Sequence, residues 1–180
     1  MKRELVNKKI KGIDPFNTFP TFLKLIIIIL LVIIILFLIP VTAITARDYD
    51  NDELLRVWRI HDSFTVSYIH SVELTEVLEI YSIEDEEIVL TETYFKSFGA
   101  GLPATTPYDF EIRSDGFRIF NINETIETLI YRTGAVRANH KLIIEDKEYN
   151  FLDFSVGQTA VHFQVENITF LNYIIKEVNS

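Results

Sequence analysis

Residues Glu76–Phe95 read EVLEIYSIEDEEIVLTETYF. Two runs rich in β-branched and aromatic residues flank an acidic knot, which is the pattern of a β-hairpin. With Asp85-Glu86 as a two-residue loop, Ile83 faces Ile88, Tyr81 faces Leu90, Glu79 faces Glu92 and Val77 faces Tyr94. Apolar partners coincide along one face, which supports this register. The exception is Glu79 against Glu92, two carboxylates where like charges repel. Upstream, a loop at Glu73-Leu74 pairs Tyr68 with Glu79 and His70 with Val77, and sets His70 diagonally beside Glu79.

Further β-like runs extend in both directions from this hairpin. Leu54–Ile60, Phe64–Ser71, Phe110–Arg113, Phe117–Phe120 and Leu129–Arg132 are candidates, followed by Lys141–Glu145, Tyr149–Phe154, Ala160–Val165 and Leu171–Val178. No amphipathic helix separates them, so a parallel βαβ sheet is not expected. Asn121–Leu129 offers at most a short helical turn. The expected fold class is all-β: a small antiparallel sandwich or barrel-like domain over residues 57–180, behind a linker at 47–56.

The N-terminal third is different in kind. Leu25–Ile39, LIIIILLVIIILFLI, is apolar without interruption, and no charge follows before Arg47. Residues 25–46 at ~1.5 Å each match a hydrocarbon core of about 30 Å, so a single transmembrane helix is expected there. The preceding 1–24 segment carries a net charge of +4, whereas Asp48, Asp50, Asp52 and Glu53 follow the apolar run. The positive-inside bias then puts residues 1–24 in the cytoplasm and the C-terminal domain outside, anchored in the cell membrane. A leader cleaved near Val41-Thr42-Ala43 is the competing reading, although its front exceeds the usual ~15–30 residues.

Composition narrows the chemistry. The 180-residue chain has no cysteine, which excludes disulfides, thiolate metal sites and a cysteine nucleophile. Its net charge of −9 averages two regions, because beyond the apolar run 24 acidic residues face 11 basic ones, a balance of −13. Nucleic acid is not an expected partner of so acidic a domain, and a cation or a basic protein surface is favoured over an anionic ligand.

His70, Glu79 and Glu92 on one sheet face would suit a divalent cation, a small ligand or acid–base work. The bland counterparts are a solvated face, or pairing with Arg113, Arg118 or Arg137. Ser97–Pro103, SFGAGLP, holds Gly99 and Gly101 one residue apart with Pro103 stiffening the exit, as in a rim loop shaped for a partner. Gly99, Gly101 and Ala104 match the spacing of a dinucleotide loop, but Pro103 and Pro107 block the helix such a loop must open. No cofactor or nucleotide is expected. Ser71 adjoins His70 on a strand and points the other way, so the two make no nucleophile–base dyad. His61, His140 and His162 are scattered, and Asn123 and Asn167 begin glycosylation triplets.

Tyr68, His70, Ser71 and Glu73 in a Y-x-H-S-V-E run, a following strand with Glu79, and the Ser97–Pro103 loop together resemble a prokaryotic family catalogued as domain of unknown function 1850. The resemblance covers roughly Val57–Asn179. It implies a small exported domain behind a hydrophobic segment, in an accessory role near TRAP transporters of the TAXI class, whose permease or solute receptor would be the partner. No activity is established for the family. Three functions follow as expectations: a tethered, non-enzymatic interaction domain; capture of a small ligand or cation by His70, Glu79 and Glu92; and a carboxylate-based hydrolase.

Overall fold

A computed structural model of the chain describes residues 20–97, 105–134 and 138–180. The chain divides into two compact units, Met1–Ile39 and Pro40–Ser180. In the first, α1 runs over Thr21–Phe37, 17 residues that are apolar throughout from Leu25, none of them buried and all of them exposed from Ile28 on. Among the described residues no helix is long and apolar enough to cross a membrane.

The helix expected over 25–46 therefore stops early, at Phe37. Pro40 accounts for the break: it lacks an N–H and biases the residue before it away from helical geometry. Ile39, the expected end of the apolar span, lies beyond α1, and Pro40–Asp48 forms the first strand, β1. In VTAITA single alanines separate pairs of β-branched residues, a run without polar alternation that suits a pleated strand buried on both faces. Ala43, Ile44, Thr45 and Ala46 are all fully buried. The expected linker at 47–56 is likewise not one, since Arg47 and Asp48 complete β1, a turn follows, and β2 begins at Leu54.

The second unit consists of two antiparallel sheets. The smaller has the order β2 (Leu54–Arg59), β1, β12 (Ala160–Thr169) and β9 (Leu129–Arg132). The larger runs β11 (Lys147–Asn150), β10 (Lys141–Ile144), β3 (Ser63–Ile69), β4 (Glu76–Glu84), β5 (Glu87–Phe95), β7 (Gly116–Phe120) and β6 (Asp109–Arg113). The short β8 (Glu124–Thr125) pairs with β5. One apolar core joins the sheets: Ile44, Trp58, Val161 and Phe163 from the smaller meet Phe64, Val66, Tyr81 and Leu142 from the larger. A second cluster of Val77, Phe95, Ile119 and Ile122 lies within the larger sheet. The expectation of an antiparallel, mostly β domain is thus met.

Leu171–Val178, expected as a strand, is helical: α2 spans Phe170–Asn179 and packs on β1, β2 and β12. Thr169 caps it by accepting the Asn172 N–H. Phe170, Tyr173 and Ile174 are the half-buried residues of one helical stripe. Tyr149–Phe154 also departs from expectation, because the strand ends at Asn150 and a 3-10 turn occupies Phe151–Asp153. Asn121–Leu129 holds β8 rather than a helical turn.

The Asp85-Glu86 loop is as expected, with Glu84 opposite Glu87, Ile83 opposite Ile88 and Tyr81 opposite Leu90. The register then breaks. Thr91 is an extra residue, so Ile80 faces Glu92, Glu79 faces Thr93 and Val77 faces Phe95. Such a bulge reverses which residues face the core beyond it, and here the Thr91 hydroxyl bonds the Ile80 carbonyl at 3.0 Å. The expected Glu79–Glu92 opposition is therefore absent. The β3–β4 pairing is displaced by two residues, with Tyr68 opposite Val77 and Val66 opposite Glu79. Here the loop is longer than expected, as His70 N–H bonds the Thr75 carbonyl and Leu74 N–H bonds the His70 carbonyl.

Two substitutions test this backbone. Asp85 and Glu86 both take positive φ, 50° and 70°, a conformation that favours Asn-Gly in two-residue hairpins. The pair Asp85→Asn/Glu86→Gly should raise unfolding stability by about 1 kcal/mol, read by urea denaturation; an unchanged or lower midpoint contradicts the turn. Gly116 has φ 152°, and a Cβ there would lie 2.5 Å from the Phe95 carbonyl oxygen. Gly116→Ala should cost roughly 2 kcal/mol or more in the same assay.

Candidate functional site

The residues singled out by sequence fall into two groups around β4. The first is centred on Glu79, which by alternation lies on the same side of β4 as the buried Val77 and Tyr81. Its carboxylate accepts hydrogen bonds from Tyr68 at 3.2 Å, Tyr81 at 3.2 Å and Tyr131 at a shorter separation. Tyr68 stands on β3 and Tyr81 on β4 of the larger sheet, while Tyr131 stands on β9 of the smaller. Tyr81 and Tyr131 also touch, their hydroxyl oxygens 2.6 Å apart. Each hydroxyl carries one proton, so Tyr131 serves Glu79 while Tyr81 divides its proton between Glu79 and Tyr131.

Burial raises the pKa of all three tyrosines above the ordinary phenol range, and the Glu79 charge adds to the effect. They stay protonated donors at any working pH. His140 stacks on Tyr68 at 5.6 Å and leans on Phe151 at 5.4 Å. Burial lowers its pKa, so the ring is neutral at pH 7. Sequence reading passed over Tyr81, Tyr131 and His140 as members of this group. The signal available was an acidic residue on the apolar face of a strand, which demands donors from whatever packs against it.

The second group joins the two motifs of the family resemblance. His70 Nδ1 accepts the backbone N–H groups of Val72 (3.4 Å) and Glu73 (3.2 Å), closing the turn between β3 and β4. Ser97, at the start of the glycine-bearing loop, donates to Glu73 Oε2 at 3.1 Å and lies 3.4 Å from Thr75 Oγ1. Ser71 is exposed in the turn. Gly99, Gly101 and Pro103 lie outside the described residues.

Glu92 belongs to neither group. Past the Thr91 bulge it shares with Tyr94 and Arg118 the face of β5 and β7 opposite Phe95 and Phe117. Arg118 grips it with Nε–Oε2 at 2.9 Å and Nη2–Oε1 at 2.6 Å, and Tyr94 adds a third donor at 2.9 Å. The Arg118 guanidinium lies 4.6 Å from the Phe120 ring centroid. Hydrogen bonding from Arg118 lowers the Glu92 pKa, against a smaller opposing effect of burial. Glu79 and Glu92 therefore occupy opposite faces of the larger sheet, and His70 is engaged in a turn. Among the described residues no group of three His, Asp or Glu side chains is placed to hold a metal ion.

The titrating groups give a pH signature. His140 and His162 have pKa values lowered first by burial. The unfolded chain therefore takes up protons that the folded one resists, and stability falls as pH drops below about 6.5. Glu92, lowered below the ordinary carboxylate value, contributes stability that is present above about pH 4.3 and lost as pH falls further. Thermal unfolding followed against pH should show both declines, with His140→Phe reducing the first and Arg118→Gln the second. A profile that neither substitution alters contradicts these assignments.

Neither a curated protein nor a solved structure matches the chain. One family model does, over a stretch from β3 to just past β11 that contains both groups described above. The stretch is shorter at each end than the Val57–Asn179 expected from the motifs. Residues 64–151 match the model described as Domain of unknown function (DUF1850), which bears out the resemblance carried by Tyr68, His70, Ser71, Glu73, Glu79 and Ser97.

Proposed function

We propose that the chain is a membrane-tethered, extracytoplasmic β-domain that acts by contact with a partner rather than by catalysis, as an accessory of a TAXI-type TRAP transporter. The observation that carries the tether is α1, whose apolar side chains from Ile28 to Phe37 are exposed on every side. A helix apolar all round finds its solvent in lipid. Its 17 residues rise about 25 Å, short of a hydrocarbon core of about 30 Å. Leu38 and Ile39 extend the apolar run before β1 begins. The basic 1–24 segment favours the cytoplasm for the N-terminus.

The non-catalytic half of the reading is supported by occupancy. Tyr68, His70, Glu73, Glu79, Glu92 and Ser97 each have a side-chain polar atom bonded within the domain. General acid–base or nucleophilic work needs a group free to exchange protons with substrate. An interaction surface is available elsewhere. Among the described residues β6 is one of the two outer strands of the larger sheet, every residue of it is exposed, and Ile112 is 75% exposed. Such an edge suits addition of a partner strand. The transporter itself is suggested by the family resemblance.

Membrane washing with carbonate tests the tether: the full chain should remain in the pellet, and Ile29→Lys/Ile33→Lys should release it. Crosslinking in cells followed by purification tests the partner. Recovery of a TRAP permease or its receptor, reduced by Ile112→Glu, is the expected result; clean recovery of the chain alone overturns the accessory role.

A further inference from the structure

The charge pattern of the β-domain contains an anomaly. Arg47, Lys96, Arg113, Arg118, Lys141 and Lys176 are each ion-paired with a carboxylate, and Arg132 bonds the Gln158 carbonyl. The remaining described cations of this strongly acidic domain are Arg56, Arg59 and Lys147, and all three line one cavity. It measures ≈ 350 Å³ and opens where β2, the edge of the smaller sheet, meets β11, the edge of the larger, beside α2. Trp58, Tyr149 and Tyr173 supply its aromatic wall.

A second observation points to the same place. Trp58 is 5% exposed, and its indole Nε1 is buried without any hydrogen-bond partner. A buried orphan donor costs free energy unless something fills it. The lining has one acidic side chain, Glu177, and burial of the Tyr173 ring together with the Glu177 charge raises the Tyr173 pKa. Three cations against one acidic side chain leave the lining net positive, with Arg56 lying 6.0 Å from the Trp58 ring centroid.

We infer that this cavity is a binding site for a small organic anion, its carboxylate or phosphate held by Arg56, Arg59 and Lys147 and its apolar body laid against Trp58 and Tyr149. Guanidinium forks match either oxyanion with paired hydrogen bonds, and an ammonium adds a point charge. The size lies in the range of small-molecule sites. The net acidity of the domain does not forbid this, because distant exposed charges are screened over about 8–10 Å at ordinary ionic strength. The site is separate from the Glu79 and His70 groups and from the β6 edge.

The chain has a single tryptophan, Trp58, so its emission reports on this cavity alone. Phenylacetate and inorganic phosphate are titrated into the full chain in detergent, with Trp58 fluorescence and calorimetry as readouts. Phenylacetate should saturate both signals and weaken as salt is added, and phosphate should bind at least about tenfold less tightly, since it lacks the apolar body. Arg56→Gln/Arg59→Gln should weaken phenylacetate by at least about tenfold, ~1.4 kcal/mol, while Arg113→Gln leaves it unchanged. Both cations of the double variant are exposed, and an unaltered thermal midpoint confirms its fold. Absence of saturable binding, equal binding of the two probes, or undiminished binding to the double variant overturns the inference.

Discussion

Glu79 places a carboxylate on the core-facing side of a strand, and three tyrosine hydroxyls converge on it from both sheets. A partly buried carboxylate without donors would oppose folding by several kcal/mol, so its partners are a condition of the fold rather than an embellishment. Tyr131 is the member that matters most to the architecture, because it reaches Glu79 from β9 of the opposing sheet. The bond fixes a relation between the sheets that apolar contacts, being non-directional, leave loose. Phe151, Phe163 and His140 then close around the Tyr131 ring.

This arrangement depends on a single residue elsewhere. Were Thr91 paired with Ile80 in unbroken register, Glu92 would stand opposite Glu79 on the same face, and the two carboxylates would compete for the same donors. The bulge sends Glu92 to the other side of the sheet, where Arg118 and Tyr94 receive it. One unpaired residue in the ladder thus separates two acidic groups into two satisfied environments. The same separation bears on function, because a facing carboxylate pair was the basis for reading the domain as a cation site or a hydrolase.

The hairpin at Asp85-Glu86 was legible because alternation and an acidic tight turn point the same way. The bulge was not, since no local signal distinguishes Thr91 from Thr93 until the partner strand is in place. Pro40–Asp48 merged with the apolar run before it: hydrophobicity without polar punctuation does not tell a lipid-facing helix from a strand buried on both faces, although Pro40 marked the boundary. α2 was obscured by its Ile and Val content, yet Thr169 as a cap and the Phe170–Tyr173–Ile174 spacing announce a helix. The cavity at Trp58 could not be read at all. Its walls come from β2, β11 and α2, which are far apart in the chain and adjacent only once both sheets have formed.

The central claim is that Glu79 serves as a tie between the two sheets through Tyr131. A double-mutant cycle on Glu79→Gln and Tyr131→Phe, with stability measured by urea unfolding, tests it most directly. A coupling energy of about 1 kcal/mol or more is predicted for residues sharing this network. Additivity within about 0.3–0.5 kcal/mol, the behaviour of independent sites, would contradict it.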